Sequence, residues 1–115
     1  MPVALPLIRS HLYAPGNRAD LIDQAPFAGA DAVVYDLESF VPAGDKARAR
    51  LIVGEALSAG AGHALPINFV RINSPATGLA EEDVQAVVRP GLSGVRIPKV
   101  EDADTVRQVA AWVDQ

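Results

Sequence analysis

Four short apolar runs, each followed by a helix-forming stretch, constrain this chain more than any other feature. The runs cover residues 10–14, 32–36, 67–72 and 94–98. They are rich in Val, Ile, Leu and aromatic residues and are bounded by Gly or Pro, the composition of strands. Ala32-Val33-Val34-Tyr35 and Ile67-Asn68-Phe69-Val70 are nearly continuous rather than alternating. Strands of a parallel sheet covered on both faces read that way.

Helical patterns fill the intervals. The first spans residues 19–28, with Asn17 as candidate N-cap, Asp20 three residues on as in a capping box, and Pro26 in its last turn. The second, 45–59, places Ala47, Leu51, Ala56 and Leu57 near one face and stops at Gly60. The third, 79–88, opens with Glu81, Glu82 and Asp83, acids that suit a helix N-terminus. The fourth, 102–113, carries Val106, Val109, Ala110 and Val113 on one stripe. Trp112 is expected to pack against the sheet. The order β-α-β-α-β-α-β-α predicts an α/β fold with parallel strands joined by right-handed crossovers.

Composition narrows the function. The chain has 115 residues, half of them hydrophobic, with a formal net charge of −4 and no cysteine. One domain is expected, and a closed eight-fold barrel of ~250 residues does not fit in it. The absence of cysteine excludes disulfides, thiolate metal sites and a cysteine nucleophile. With no Lys/Arg-rich run, a nucleic-acid surface is not expected. Residues 1–8 are apolar but broken by proline and have no basic residue before them. No membrane span or signal peptide is expected there, and the cytoplasm is the expected compartment.

In parallel α/β folds, ligands bind beyond the carboxyl ends of the strands. Here those ends deliver Pro15-Gly16-Asn17-Arg18, Asp36-Leu37-Glu38-Ser39, Arg71-Ile72-Asn73 and Pro98-Lys99-Val100-Glu101. Asp36 and Glu38, two apart, point the same way on a continuing strand. They are candidates to hold a divalent cation or to supply a base; equally, they cap a turn or pair with Lys46 or Arg48. Arg71 is a candidate to fork onto a carboxylate or a developing oxyanion, against a surface salt bridge to Glu38 or Glu101. Lys99 and Asn73 join Arg71 as substrate-binding candidates, although a counter-ion role for Lys99 among its acidic neighbours is the simpler reading. His11, inside a strand, and His63, in a Gly/Ala loop, have no partner at metal-ligand spacing. No phosphate-binding loop or dinucleotide fingerprint occurs.

Four stretches also resemble a known family. Arg9-Ser10-His11-Leu12-Tyr13-Ala14-Pro15-Gly16-Asn17-Arg18 is similar to the opening strand and loop of citrate lyase beta-subunit-like proteins. Gly29-Ala30-Asp31-Ala32-Val33-Val34-Tyr35-Asp36-Leu37-Glu38 is similar to their second strand, and Val70-Arg71-Ile72-Asn73 to their third. Gly91-Leu92-Ser93-Gly94-Val95-Arg96-Ile97-Pro98-Lys99-Val100-Glu101 resembles their fourth. The resemblance implies the HpcH/HpaI aldolase and citrate lyase superfamily, and hence the first four βα units of a TIM (β/α)8 barrel, truncated after the fourth helix. It implies Mg2+-dependent carbon–carbon chemistry on an acyl-CoA thioester or 2-oxo acid, in citryl-, malyl- or citramalyl-CoA lyases and related synthases or thioesterases. Arg71 takes the place of the substrate-binding arginine, Asp36 and Glu38 fall in the acidic motif bordering the metal, and Arg18 matches a loop position that contacts CoA phosphates. Ser39 stands where the acidic motif usually continues with another acid. The direct metal ligands implied, a Glu and an Asp after strands five and six, fall beyond residue 115, so no metal ligand is assigned in this chain.

Two other readings stand beside this one. A non-catalytic half-barrel would leave strand edges and an apolar face to be covered by self-association or a partner chain, and a homo-oligomer is expected on either account. An open flavodoxin-like domain, with Asp36 and Lys99 as an acidic pocket, is the third.

Overall fold

The computed structural model describes residues 7–63 and 65–115. Most of the apolar opening stretch read above, residues 1–6, lies outside them. The elements in chain order are β1 (His11–Pro15), α1 (Ala19–Gln24), β2 (Ala32–Asp36), α2 (Lys46–Ala59), β3 (Ile67–Arg71), α3 (Ala80–Val87), β4 (Gly94–Arg96) and α4 (Ala103–Val113). Short 3-10 turns follow α1 and precede α2 and α3.

The four strands form one sheet in the order β1-β2-β3-β4, every neighbouring pair parallel. Each helix packs beside the next along the chain, α1 on α2, α2 on α3 and α3 on α4. A doubly wound sheet reverses its strand order near the first strand and puts helices on both faces. This sheet does neither, which removes the flavodoxin-like reading. The architecture is that of the first βα units of a TIM barrel, as the sequence pattern predicts.

Side-chain alternation divides the sheet between two tasks. Leu12, Ala14, Val33, Tyr35, Val70 and Val95 point to the helices and form one core with Ile22, Val53, Leu57, Val84, Val87 and Val109. The alternate positions carry His11, Tyr13, Phe69, Arg71 and Arg96 on the opposite face.

Three local expectations change. Asn17 does not cap α1: the N-cap is Arg18, and the Asn17 amide donates to Asp45 Oδ2 at 3.0 Å. β1 runs one residue further than expected, to Pro15, while α1 starts at Ala19 as expected. The inner stripe of α2 is Ala49, Val53 and Leu57, whereas Leu51 is 70% exposed. A helix this rich in alanine offers no sharp apolar stripe from which to choose a face. In α4, Val109 is buried and Trp112 and Val113 pack on the core, but Val106 and Ala110 face outward. Asp102, by contrast, caps α4 through the Thr105 N–H at 2.8 Å.

Asp83 has a structural role that its sequence context did not suggest. It is fully buried and accepts from Arg50 Nε at 2.7 Å, Asn73 N–H at 2.8 Å and Asn73 Nδ2 at 2.7 Å. One carboxylate thus ties α2, the end of β3 and α3 together. Its removal leaves two buried amide donors of Asn73 without their acceptor and takes from the part-buried Arg50 its Nε partner. Asp83→Ala is expected to lower unfolding free energy by about 3 kcal/mol, measured by urea denaturation; a loss within about 0.5 kcal/mol, the level of a surface change, would show that the cluster is not a clamp.

Candidate active site

The strand register builds the site. Asp36, last in β2, lies opposite Arg71, last in β3, and both side chains rise on the face away from the helices. Arg71 Nε donates to Asp36 Oδ1 at 2.7 Å. Asp36 is fully buried and also accepts the Glu38 N–H at 3.0 Å and the Phe40 N–H at 2.7 Å. Burial pushes its carboxyl up, but the Arg71 bond and the two backbone donors outweigh it, and the group is held below its ordinary value. The same pairing, led by the hydrogen bond, stabilises the Arg71 cation further.

Other groups gather around this pair. Glu38 Oε1 is 3.6 Å from Arg71 Nε, and Lys99 Nζ is 3.6 Å from Glu38 Oε2. The Ser39 hydroxyl donates to Glu38. Lys46 Nζ donates to the carbonyls of Leu37 and Glu38, each at 3.0 Å, and pins the loop after β2. Tyr13 and Phe40 present their rings to Arg71, with Cζ 4.9 and 5.4 Å from the centroids. Tyr13, Glu38, Ser39 and Arg71 line an open pocket at the carboxyl ends of the strands, together with Arg96, Ile97, Pro98 and Lys99. Arg71 Nη2 is buried without a hydrogen-bond partner.

The candidates therefore divide. Arg71, Glu38 and Lys99 share the pocket, with Asp36 beneath them. Asn73 is buried outside the pocket lining, its amide given to Asp83. Arg18 is exposed on the loop after β1 and forks onto Asp20, with contacts of 3.0 and 2.8 Å. His63 lies elsewhere, beside the end of α2. Tyr13, Phe40 and Arg96 went unread in the sequence. Arg96 pairs with Arg71 across β3 and β4, and its side chain bends down the sheet. It contacts His11 Nδ1, stacks on Phe69 at 5.1 Å and reaches the Tyr13 hydroxyl at 3.5 Å. Counting alternate positions back from each strand end would have found Tyr13 and Arg96; Phe40 sits in a loop, where no such rule applies.

The donor set does not by itself make a cation cage. Among the described residues no three His, Cys, Asp or Glu side chains converge. Both Asp36 oxygens are committed, which leaves Glu38 as the acid facing the pocket among the described residues. The chemistry on offer is anion binding by Arg71, with a carboxylate and a lysine alongside.

A parallel βα sheet with an arginine–carboxylate pair at the carboxyl ends of its strands defines a barrel-type α/β protein with a charged pocket at that end. More narrowly, the chain belongs to the HpcH/HpaI aldolase/citrate lyase family, whose sequence pattern matches residues 9–115. It is 46% identical to a citrate lyase subunit beta-like protein of Deinococcus radiodurans, over 95% of this chain and 39% of that protein. It is 33% identical to citrate lyase subunit beta of Leuconostoc mesenteroides, over 93% of this chain and 35% of the relative. A (3S)-malyl-CoA thioesterase of Cereibacter sphaeroides is 34% identical, over 89% of this chain and 35% of its own length. The chain thus spans somewhat more than a third of each relative. The family includes both lyase subunits and CoA thioesterases.

The Asp36 network makes a pH-dependent contribution to stability. Because the folded-state carboxyl is held below its unfolded value, the stabilisation is present at neutral pH. It is lost as pH falls from about 4 through the folded value. Asp36→Asn is expected to melt below the parent at neutral pH, with the gap closing as pH drops below about 4. A gap that stays constant in thermal melts through this range would refute the linkage.

Proposed function

We propose that this chain forms part of a Mg2+-dependent carbon–carbon lyase acting on an acyl-CoA thioester or 2-oxo acid, of the citryl-, malyl- or citramalyl-CoA type. The observation that carries the reading is Arg71, which lines the pocket, is fixed by a buried carboxylate through Nε and keeps a buried Nη2 unpaired. A guanidinium so placed binds the carboxylate of an oxo acid and opposes negative charge as an enolate develops next to the carbonyl. Preorganised donors of this kind need no reorganisation when the charge appears.

Glu38, partly buried between Arg71 and Lys99, is the group available to hold or move a proton at the pocket. Asp36 acts through Arg71 and is a positioning residue. Lys99, 76% exposed in its side chain, adds positive charge at the mouth, and Arg18 is the proposed contact for CoA phosphates. When bound, Mg2+ supplies electrostatic stabilisation of a substrate oxygen. The described residues offer no complete set of ligands for it, so the chain's own contribution is binding, orientation and proton handling. Among the described residues no helix is long and apolar enough to cross a membrane. The proposal includes a homo-oligomer, which light scattering at micromolar concentration would reveal.

The test is turnover of citryl-, malyl- and citramalyl-CoA by the polypeptide purified from its native source, with release of free acyl-CoA and oxo acid as readout. Cleavage should stop on chelation with EDTA and return with Mg2+. Arg71→Ala should reduce turnover ~10²-fold, as loss of an oxyanion donor does. Absence of cleavage with all three thioesters would overturn the lyase reading, and unchanged kinetics in the variant would remove Arg71 from the site.

A further inference from the structure

Among the described residues that line the pocket, Arg96 is the cation without a carboxylate partner. Arg71 is paired with Asp36 and Lys99 with Glu38. Arg96 instead contacts His11 Nδ1, lies over the Phe69 ring at 5.1 Å and reaches the Tyr13 hydroxyl at 3.5 Å. A guanidinium only donates, so the histidine nitrogen and the tyrosine oxygen are the acceptors here. Neither is a carboxylate, the partner with which a guanidinium forms its stronger, bidentate bonds.

The strand register brings this cation beside the first. Arg96 on β4 is the register partner of Arg71 on β3, and both lie on the face away from the helices. Neighbouring strands run about 4.8 Å apart, and like charges set opposite one another repel. Asp36 relieves that repulsion for Arg71, and no acid does so for Arg96 among the described residues. Tyr13 stands between the two groups. Its ring centroid is 4.9 Å from Arg71 Cζ, and its hydroxyl is the atom that Arg96 reaches. A short ligand lying over Tyr13 therefore meets Arg71 at one end and Arg96 at the other. Arg71 gives Nε to Asp36 and has further donors for one carboxylate; Arg96 can exchange its uncharged acceptors for a second.

We propose that Arg96 is a specificity-determining residue: with Arg71 across Tyr13 it makes a two-cation site that favours 2-oxo acids carrying a second carboxylate. This rests on the reading of Arg71 as the carboxylate anchor and goes beyond it in ranking the three thioesters. Cleavage of citryl-CoA releases oxaloacetate, which has two carboxylates. Malyl- and citramalyl-CoA release glyoxylate and pyruvate, which have one. The smaller acids still enter, held by Arg71 alone, whereas oxaloacetate is held at both ends and binds more tightly.

The test is calorimetric titration of the polypeptide purified from its native source with oxaloacetate and with pyruvate, repeated on Arg96→Gln, Arg96→Met and Arg71→Ala. Two Arg96 variants are used because the side chain also covers Phe69, and Met keeps a long chain over that ring. Circular dichroism checks that each variant folds. The parent is expected to bind oxaloacetate about tenfold tighter than pyruvate, the gain from one charge-assisted hydrogen bond. In whichever Arg96 variant folds, that ratio should fall to near parity through weaker oxaloacetate binding. A merely structural role would weaken both acids alike and leave the ratio unchanged. Equal or tighter binding of pyruvate by the parent, or a ratio that survives loss of Arg96, overturns the inference while leaving Arg71 as the anchor. If neither acid binds, or both bind Arg71→Ala as well as the parent, the Arg71 reading falls and the inference with it.

Discussion

The buried carboxylate of Asp36 is the constraint on which the candidate site depends. It sits at full burial with three donors on two oxygens, one a guanidinium and two backbone N–H groups. A charge so placed survives only if its partners repay the loss of water. The parallel register provides the first partner, since it sets Arg71 directly across from it on the next strand. The chain provides the other two by turning sharply after Leu37, so that Glu38 and Phe40 direct their N–H groups back. The loop that carries the pocket's acid, Glu38, is therefore shaped by the same group that orients its arginine.

The separation of core from site follows from the two-residue period of a strand. On β3, Val70 belongs to the hydrophobic core while Phe69 and Arg71 face the opposite side. With the helices adjoining one another in chain order, apolar side chains seal one face, and the other is left to charged and aromatic groups. A one-residue slip of β3 would bury Arg71 among Val53, Leu57 and Val84 and expose Val70, so packing of the core protects the geometry of the site. Arg96 shows how the space below the pocket is filled. Its guanidinium extends over Phe69 to His11, linking the first and last strands across the sheet.

Much of this was legible in the sequence. Near-continuous runs such as Ala32-Val33-Val34-Tyr35 identified the buried strands, and the alternation with helices identified the fold. Reading strand ends found Arg71, Glu38 and Lys99 because in a parallel sheet those ends converge by construction. What the sequence did not disclose was which strand-end charges the fold uses internally. Asp83 sits in an acidic triplet that looks like an ordinary helix start, yet its side chain points inward while Glu81 and Glu82 remain in water. Three consecutive positions cover most of a helical turn, so only the tertiary neighbours Arg50 and Asn73 decide which acid is buried. The face of α2 was misread for the related reason that Ala47 and Ala49 are indistinguishable until the sheet is in place.

Asp83 and Asp36 together explain why so few of the charged and polar strand-end groups remain for chemistry. β3 ends in Arg71-Ile72-Asn73, and each polar member is taken by a different buried acid, Arg71 by Asp36 and Asn73 by Asp83. Ile72 between them lies in the core. The end of β3 is thus held from both sides, through β2 and through α3, with no freedom to move toward a ligand. The difference lies in what each partner leaves over. Asn73 gives its main-chain N–H and one side-chain N–H to Asp83 and is buried outside the pocket lining. Arg71 gives only Nε to Asp36, and a guanidinium has further donors to spend. Rigidity without exhaustion of hydrogen-bonding capacity is what an anion anchor requires, and among the polar groups at the end of β3 it is Arg71 that combines the two.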